Sequence, residues 1–152
     1  MDFIDDNHED FYEEKLRILK QQGKEDVYYK SVIYTLGICE DTRKNFNKIF
    51  NIDKGEINVD SLQEAWQTGI SMKVTRLAFN LWNDCKYDSR DDFKNRKTSS
   101  LYNVSEIFCC GYANYFITAL QIRYPEYFAR YKERNMLDKN KDSKKKDRRL
   151  ER

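Results

Sequence analysis

Ser71-Met72-Lys73-Val74-Thr75-Arg76-Leu77-Ala78-Phe79-Asn80-Leu81-Trp82-Asn83-Asp84-Cys85 carries the clearest register in the 152-residue chain. Val74, Leu77, Ala78, Leu81, Trp82 and Cys85 fall at i, i+3, i+4, i+7, i+8 and i+11, the apolar face of an amphipathic helix. Ser71 is its expected cap. Helical spacing recurs on both sides of this stretch. Asp5, Asp6 and Asn7 can each cap a first helix over Asn7 to Gln22, with Phe11, Tyr12, Leu16 and Leu19 as its inner residues and Gly23 as its stop. A second helix is expected from Glu25 to Gly37 with Val27, Tyr28, Val32, Ile33 and Leu36 inside. A third, opening at Asp41 or Thr42, places Phe46, Ile49 and Phe50 on one side.

Residues 50–58 read differently. Asp53-Lys54-Gly55 is a turn signal flanked by Ile52 and Ile57, which predicts a tiny two-stranded ribbon. A brief helix follows over Asp60 to Ala65, broken at Trp66-Gln67-Thr68-Gly69. Lys86 to Ser100 is polar and is expected to be an exposed loop. The run from Ser105 to Ile122 is apolar on more than one face and is expected to be the central, most buried helix. Pro125 suits the first turn of a last helix carrying Phe128 and Tyr131.

With five Gly and one Pro, the chain lacks the turn residues of a many-stranded fold. The expectation is an all-α, single compact domain of five to seven helices over residues 1–131, followed by a basic tail over 132–152. The apolar fraction is only 39% and mean hydropathy is −0.93, but aromatics reach 14%, which supplies a core that a disordered chain would lack. The tail reads as a solvated helix extension or a disordered segment. It holds ten Lys/Arg against five Asp/Glu, whereas residues 1–14 hold seven acids and neither Lys nor Arg. No apolar run is long enough to span a membrane. The acidic start argues against an export signal. Cys39, Cys85, Cys109 and Cys110 lack the spacing of a disulfide framework, so a reducing cytoplasm is expected.

The chemistry these residues support is narrow. Nucleophilic catalysis by Ser or Cys usually needs a histidine base, and the single histidine, His8, sits among acids and is expected to be solvated. Adjacent Cys109 and Cys110 diverge by about 100° on a helix and chelate one ion poorly. With Gly55 at the glycine position of a calcium loop, Phe50, Ile52 and Lys54 occupy ligand positions, so the segment is a turn. Neither a phosphate-cradling glycine loop nor a need for a cofactor is present. Three constellations remain. Asp6, Glu9, Asp10 and Glu13 form an acidic strip that could dock a basic protein surface. Arg76, Asn80 and Asn83 form a polar stripe which, with Trp66 and Gln67, either lines a pocket or braces the turn at Gly69. Lys144, Lys145, Lys146, Arg148 and Arg149 could hold nucleic acid by counterion release.

The strings Cys39-Glu40-Asp41-Thr42-Arg43, Trp66-Gln67-Thr68-Gly69, Lys73 to Asn83, Ser105-Glu106-Ile107-Phe108-Cys109-Cys110 and Ile122-Arg123-Tyr124-Pro125-Glu126-Tyr127 together resemble a family of short uncharacterised proteins from Gram-positive gut bacteria and their mobile elements. The resemblance spans roughly residues 1 to 128. It implies a bacterial cytoplasmic protein, with a phage or conjugative element as its source, that acts by binding a host macromolecule, for instance as an inhibitor of a defence nuclease. The expected function is therefore a non-enzymatic protein-binding module. Nucleic-acid binding through the tail, and an enzyme of unrecognised type built around Arg76 and Asn80, are the alternatives.

Overall fold

Asp5 opens the first helix, α1 (Asp6–Gln22), by accepting the His8 backbone N–H at 2.8 Å. Gly23 ends it with φ +66°, a left-handed turn that returns the chain's N–H groups to the Leu19 and Lys20 carbonyls. Asp26 caps α2 (Val27–Gly37) through the Tyr29 N–H at 3.0 Å. α3 (Glu40–Lys44) and α4 (Phe46–Ile49) follow, separated at Asn45. β1 (Phe50–Asn51) and β2 (Glu56–Ile57) pair antiparallel, Phe50 opposite Ile57, around Gly55 at φ +62°. A 3-10 turn over Val59–Gln63 leads to α5 (Gly69–Asn83). Next come α6 (Arg90–Lys94), a 3-10 turn over Ser100–Tyr102, α7 (Val104–Ile107) and α8 (Ala113–Arg123). This computed structural model describes residues 1–128 and, beyond them, residues 140, 141, 143, 144, 146 and 148–150. The all-α class and the ribbon are as the sequence predicts. The described residues hold more helical segments than five to seven because several are turns of three to five residues.

Four local expectations need correction. Thr68, not Ser71, caps α5. Thr68 is extended, so its side chain faces the first turn and accepts the Ser71 N–H at 3.1 Å, while the Ser71 hydroxyl accepts the Thr68 N–H at 2.7 Å. The 86–100 stretch contains α6, capped by Ser89 through the Asp92 N–H at 3.0 Å. Tyr28 lies on the exposed side of α2, where the Arg123 guanidinium stacks 3.8 Å from its ring. The fourth correction concerns the centre of the fold. The run from 105 to 122 is split between α7 and α8 by the turn at Cys109–Tyr112, and Asn114 and Ile117 of α8 are exposed.

The central helix is α2, flanked by α1, α5 and α8 and buried continuously from Ser31 to its end at Gly37. Its small polar residues make this possible. The Thr35 hydroxyl donates to Ser31 O at 2.6 Å and the Ser31 hydroxyl to Tyr28 O at 3.0 Å, so neither leaves an unmet group inside. The buried C-terminus of α2 is satisfied from α3. Thr42 Oγ1 donates to Leu36 O and Arg43 Nη1 to Gly37 O, at 2.6 and 2.7 Å. Leu19, Ile33, Leu36, Ile49, Phe50, Val74, Phe79 and Phe116 fill the core around it.

His8 is fully buried, contrary to the solvated position expected of it. Its Nε2 lies 2.8 Å from Tyr34 O and its Nδ1 3.2 Å from Ile4 N. A carbonyl can only accept and an amide N–H can only donate, so the ring is neutral with its proton on Nε2. Phe3 stands edge-on to the ring at 5.1 Å. Gly37 leaves the room: a Cβ there would meet His8 Cδ2 at 2.7 Å and Phe11 Cδ1 at 2.9 Å. Gly37→Ala should therefore destabilise the protein by about 1–3 kcal/mol, as overpacking does. Gly69→Ala, with nothing within 4 Å of the new atom, should be neutral or stabilising by up to about 1 kcal/mol. Paired urea titrations check both.

Burial pushes the His8 pKa below its ordinary 6.5, Arg43 lowers it further, and the Tyr34 hydrogen bond and Asp5 oppose. Above pH 6.5 neither the folded nor the unfolded chain protonates this ring. As pH falls below 6.5 the unfolded chain binds a proton that the folded one refuses, so stability declines until the folded pKa is reached. Because His8 is the only histidine, its imidazole signal in NMR is unambiguous. Its midpoint should lie below 6.5, and a midpoint at or above 6.5 would contradict the buried neutral ring.

Candidate functional site

Most of the polar stripe on α5 is consumed by the protein itself. Arg76 is 8% exposed and its Nε donates to Asp88 Oδ1 at 2.9 Å. Asn80 Nδ2 donates to Cys85 O at 3.3 Å. Gln67 Nε2 donates to Thr75 Oγ1 at 3.2 Å, and its Oε1 accepts the Ser71 hydroxyl at 2.6 Å. The Trp66 indole N–H donates to the Glu64 carboxylate. These side chains brace two places, the turn before α5 and the loop after it. That loop leaves the helix at Asp84, whose φ of +60° turns the chain back. Gln63 Nε2 then holds Asp88 O at 2.9 Å, and the Tyr102 hydroxyl holds Tyr87 O at 2.8 Å. Burial pushes the Tyr102 phenol far above the ordinary tyrosine range, so it stays a neutral donor.

Of the five, Asn83 lines a hollow. This hollow of about 260 Å³ is lined by Asn83, Asp84, Cys85, Tyr87, Arg90 and Phe93. The Cys85 thiol has the Tyr102 hydroxyl at 3.7 Å and Tyr87 O at 3.8 Å. Neither is a base that would take its proton. Tyr87, Arg90 and Phe93 belong to the stretch read as a loop. The signal that would have found them is Ser89 followed three residues later by Asp92, a helix-start pattern. Among the described residues no group of three or more His, Cys, Asp or Glu side chains is placed to hold a metal ion. Cys39 and Cys85 are buried, whereas Cys109 is exposed.

The acidic strip has the opposite character. Asp6, Glu9, Asp10 and Glu13 are all exposed on α1, a helix of 17 residues. The ion pairs among the described residues join Lys30 to Glu25, Lys44 to Glu40, Arg76 to Asp88 and Arg90 to Asp60. None draws on the strip. Asp6 and Glu9 lie in the first turn, where the helix dipole favours them. Asp10 and Glu13 lie farther along and have no such reason. In the tail, Lys144, Lys146, Arg148 and Arg149 occupy exposed helical positions. Lys145 lies outside the described residues, as do Tyr131 and the boundary at 131–132.

A family described as a family of unknown function, DUF6075, matches residues 1–136. The chain belongs to this family. The match takes in every helix labelled above and leaves residues 137–152 of the basic tail outside it. No curated protein matches the chain, and no solved structure does. Among the described residues no helix is long and apolar enough to cross a membrane.

Arg76→Met should cost about 3 kcal/mol in urea unfolding, because it strands the Asp88 carboxylate in a largely buried place. It should also raise hydrogen exchange over residues 84–90. Asn83→Ala, at an exposed position, should change stability by less than about 0.5 kcal/mol.

Proposed function

We propose that this chain is a non-enzymatic module that binds a protein partner through the acidic strip of α1. The observation that carries the reading is the state of Asp6, Glu9, Asp10 and Glu13. They are four exposed carboxylates outside every ion pair among the described residues, held on one well-capped helix. A rigid like-charged row costs little conformational entropy on binding. It also steers association with a basic surface. By contrast, Arg76 and Asn80 of the α5 stripe, and Gln67 ahead of it, spend their hydrogen bonds on the fold.

The resemblance to proteins of Gram-positive gut bacteria and their mobile elements supports a host macromolecule of the bacterial cytoplasm as the partner. A defence nuclease is one such host protein, since a nucleic-acid-binding enzyme presents the cationic surface that a row of carboxylates complements.

The test is a pull-down from a Gram-positive bacterial lysate with the full chain and with the variant Asp6→Asn/Glu9→Gln/Asp10→Asn/Glu13→Gln, each with and without nuclease. The parent should recover a stoichiometric protein whether or not nuclease is present. The variant should lose it by about tenfold or more, the scale of charge-complementary contacts, with an unchanged helical circular dichroism signal. Equal recovery by the variant, or recovery that vanishes with nuclease, overturns the reading.

A further inference from the structure

The hollow at the end of α5 combines apolar walls with two opposite charges. Ile57 of β2, Val59, Tyr87 and Phe93 supply the walls. The Tyr87 and Phe93 rings meet edge to face, with centroids 5.3 Å apart. Asn83, Asp84 and Arg90 line the same hollow from exposed positions, which puts them at its mouth. The loop on one side of it is tied down along its length. The Ser99 N–H donates to Lys86 O at 2.8 Å, the Tyr102 hydroxyl to Tyr87 O at 2.8 Å and Gln63 Nε2 to Asp88 O at 2.9 Å. The Arg90 N–H then donates to Asp60 Oδ1 at 2.9 Å. A loop braced in this way loses little conformational entropy when a ligand enters.

The polar groups at the mouth are barely used by the fold. Among the described residues, the Asp84 carboxylate and the Asn83 side-chain amide join no hydrogen bond or ion pair. The Arg90 guanidinium has one ionic neighbour, Asp60, at 3.8 Å, beyond hydrogen-bond distance, and its side chain is 70% exposed. Its donors are therefore open to a ligand. Arg76 shows the contrast, since its guanidinium is held to Asp88 at 2.9 Å inside the protein. One carboxylate and one guanidinium select neither a plain anion nor a plain cation. They match a small molecule that carries both charges. At about 260 Å³ the hollow lies below the size of drug-sized ligand sites, about 300–1,000 Å³, so its occupant is small.

We propose that this hollow binds a free α-amino acid with an apolar, above all aromatic, side chain. Arg90 receives the carboxylate, Asp84 receives the ammonium group with the Asn83 amide oxygen beside it, and the side chain enters between Ile57, Val59, Tyr87 and Phe93. None of these residues belongs to the α1 strip, so this assignment and the protein-binding reading succeed or fail separately.

Isothermal titration calorimetry of the full chain tests it with four probes. L-Phenylalanine carries every feature, 3-phenylpropionate lacks the ammonium group, phenethylamine lacks the carboxylate and glycine lacks the side chain. L-Phenylalanine should bind with a dissociation constant of about 1 mM or below, the range open to a molecule of about twelve heavy atoms. Each of the other three should bind about tenfold more weakly or worse, the scale of one lost charged contact. Asp84→Asn should bind phenylalanine and 3-phenylpropionate equally, and Arg90→Gln should bind phenylalanine and phenethylamine equally. Circular dichroism should be unchanged in both, because both side chains are exposed and Asn also tolerates the φ of +60° at position 84. No binding of L-phenylalanine up to about 10 mM, tenfold above the expected constant, overturns the assignment. So does affinity of the parent chain for 3-phenylpropionate or phenethylamine equal to that for phenylalanine. The parent chain's preferences kept intact by both variants would overturn it as well.

Discussion

The contact between His8 and Gly37 is the constraint on which the rest of the structure depends. The absence of a side chain at Gly37 lets an imidazole of α1 lie against α2, where a methyl group would stand 2.7 Å from the ring. A buried polar ring must find partners, and His8 finds one in each direction: Tyr34 O on α2 and Ile4 N ahead of α1. Those two bonds tie three segments together. The Gly37 carbonyl is in turn taken by Arg43, so the same few atoms also seat α3. With its C-terminus satisfied in this way, α2 can be enclosed by α1, α5 and α8 at once.

The polar and aromatic residues divide between holding this arrangement and facing outward. Arg123 shows the first use. Its guanidinium stacks on Tyr28 at 3.8 Å and Tyr124 at 4.7 Å while its Nε holds Leu81 O at 2.9 Å, which fastens the end of α8 to α5 and α2. Tyr29, Phe50 and Trp82 pack edge to face around the ribbon, with centroids 4.9–5.8 Å apart. Much of the aromatic content is therefore structural glue. Asp6, Glu9, Asp10 and Glu13 of α1 face outward instead.

Several elements were legible because their causes are local. Asp5 and Gly23 delimit α1 through side-chain and backbone bonds within five residues. The ribbon turns where Asp53-Lys54-Gly55 predicts, because only a residue tolerant of positive φ fits there. The amphipathic register of α5 placed Val74, Leu77, Ala78 and Leu81 in the core as expected. His8 was misread because its neighbours in sequence are acids. Its own register was visible: with Tyr12 at i+4 and Leu19 at i+11 it shares the inner face of α1. The stripe of Arg76, Asn80 and Asn83 was legible as a stripe, but Arg76 turns to Asp88, twelve residues away, and Asn83 to a cavity.

The sequence by itself determined the helical class, the start and stop of α1, the turn of the ribbon and the separation of acidic and basic ends, since each follows from propensity, capping and charge within a few positions. Tertiary structure decided which helix is central, which histidine proton is kept, and which face of α8 is left open. Those outcomes rest on pairs such as Asp2 with Tyr34 and His8 with Tyr34, 32 and 26 residues apart. No local pattern encodes such pairs, because the free energy of burying a polar group is set by the partner that packing brings to it.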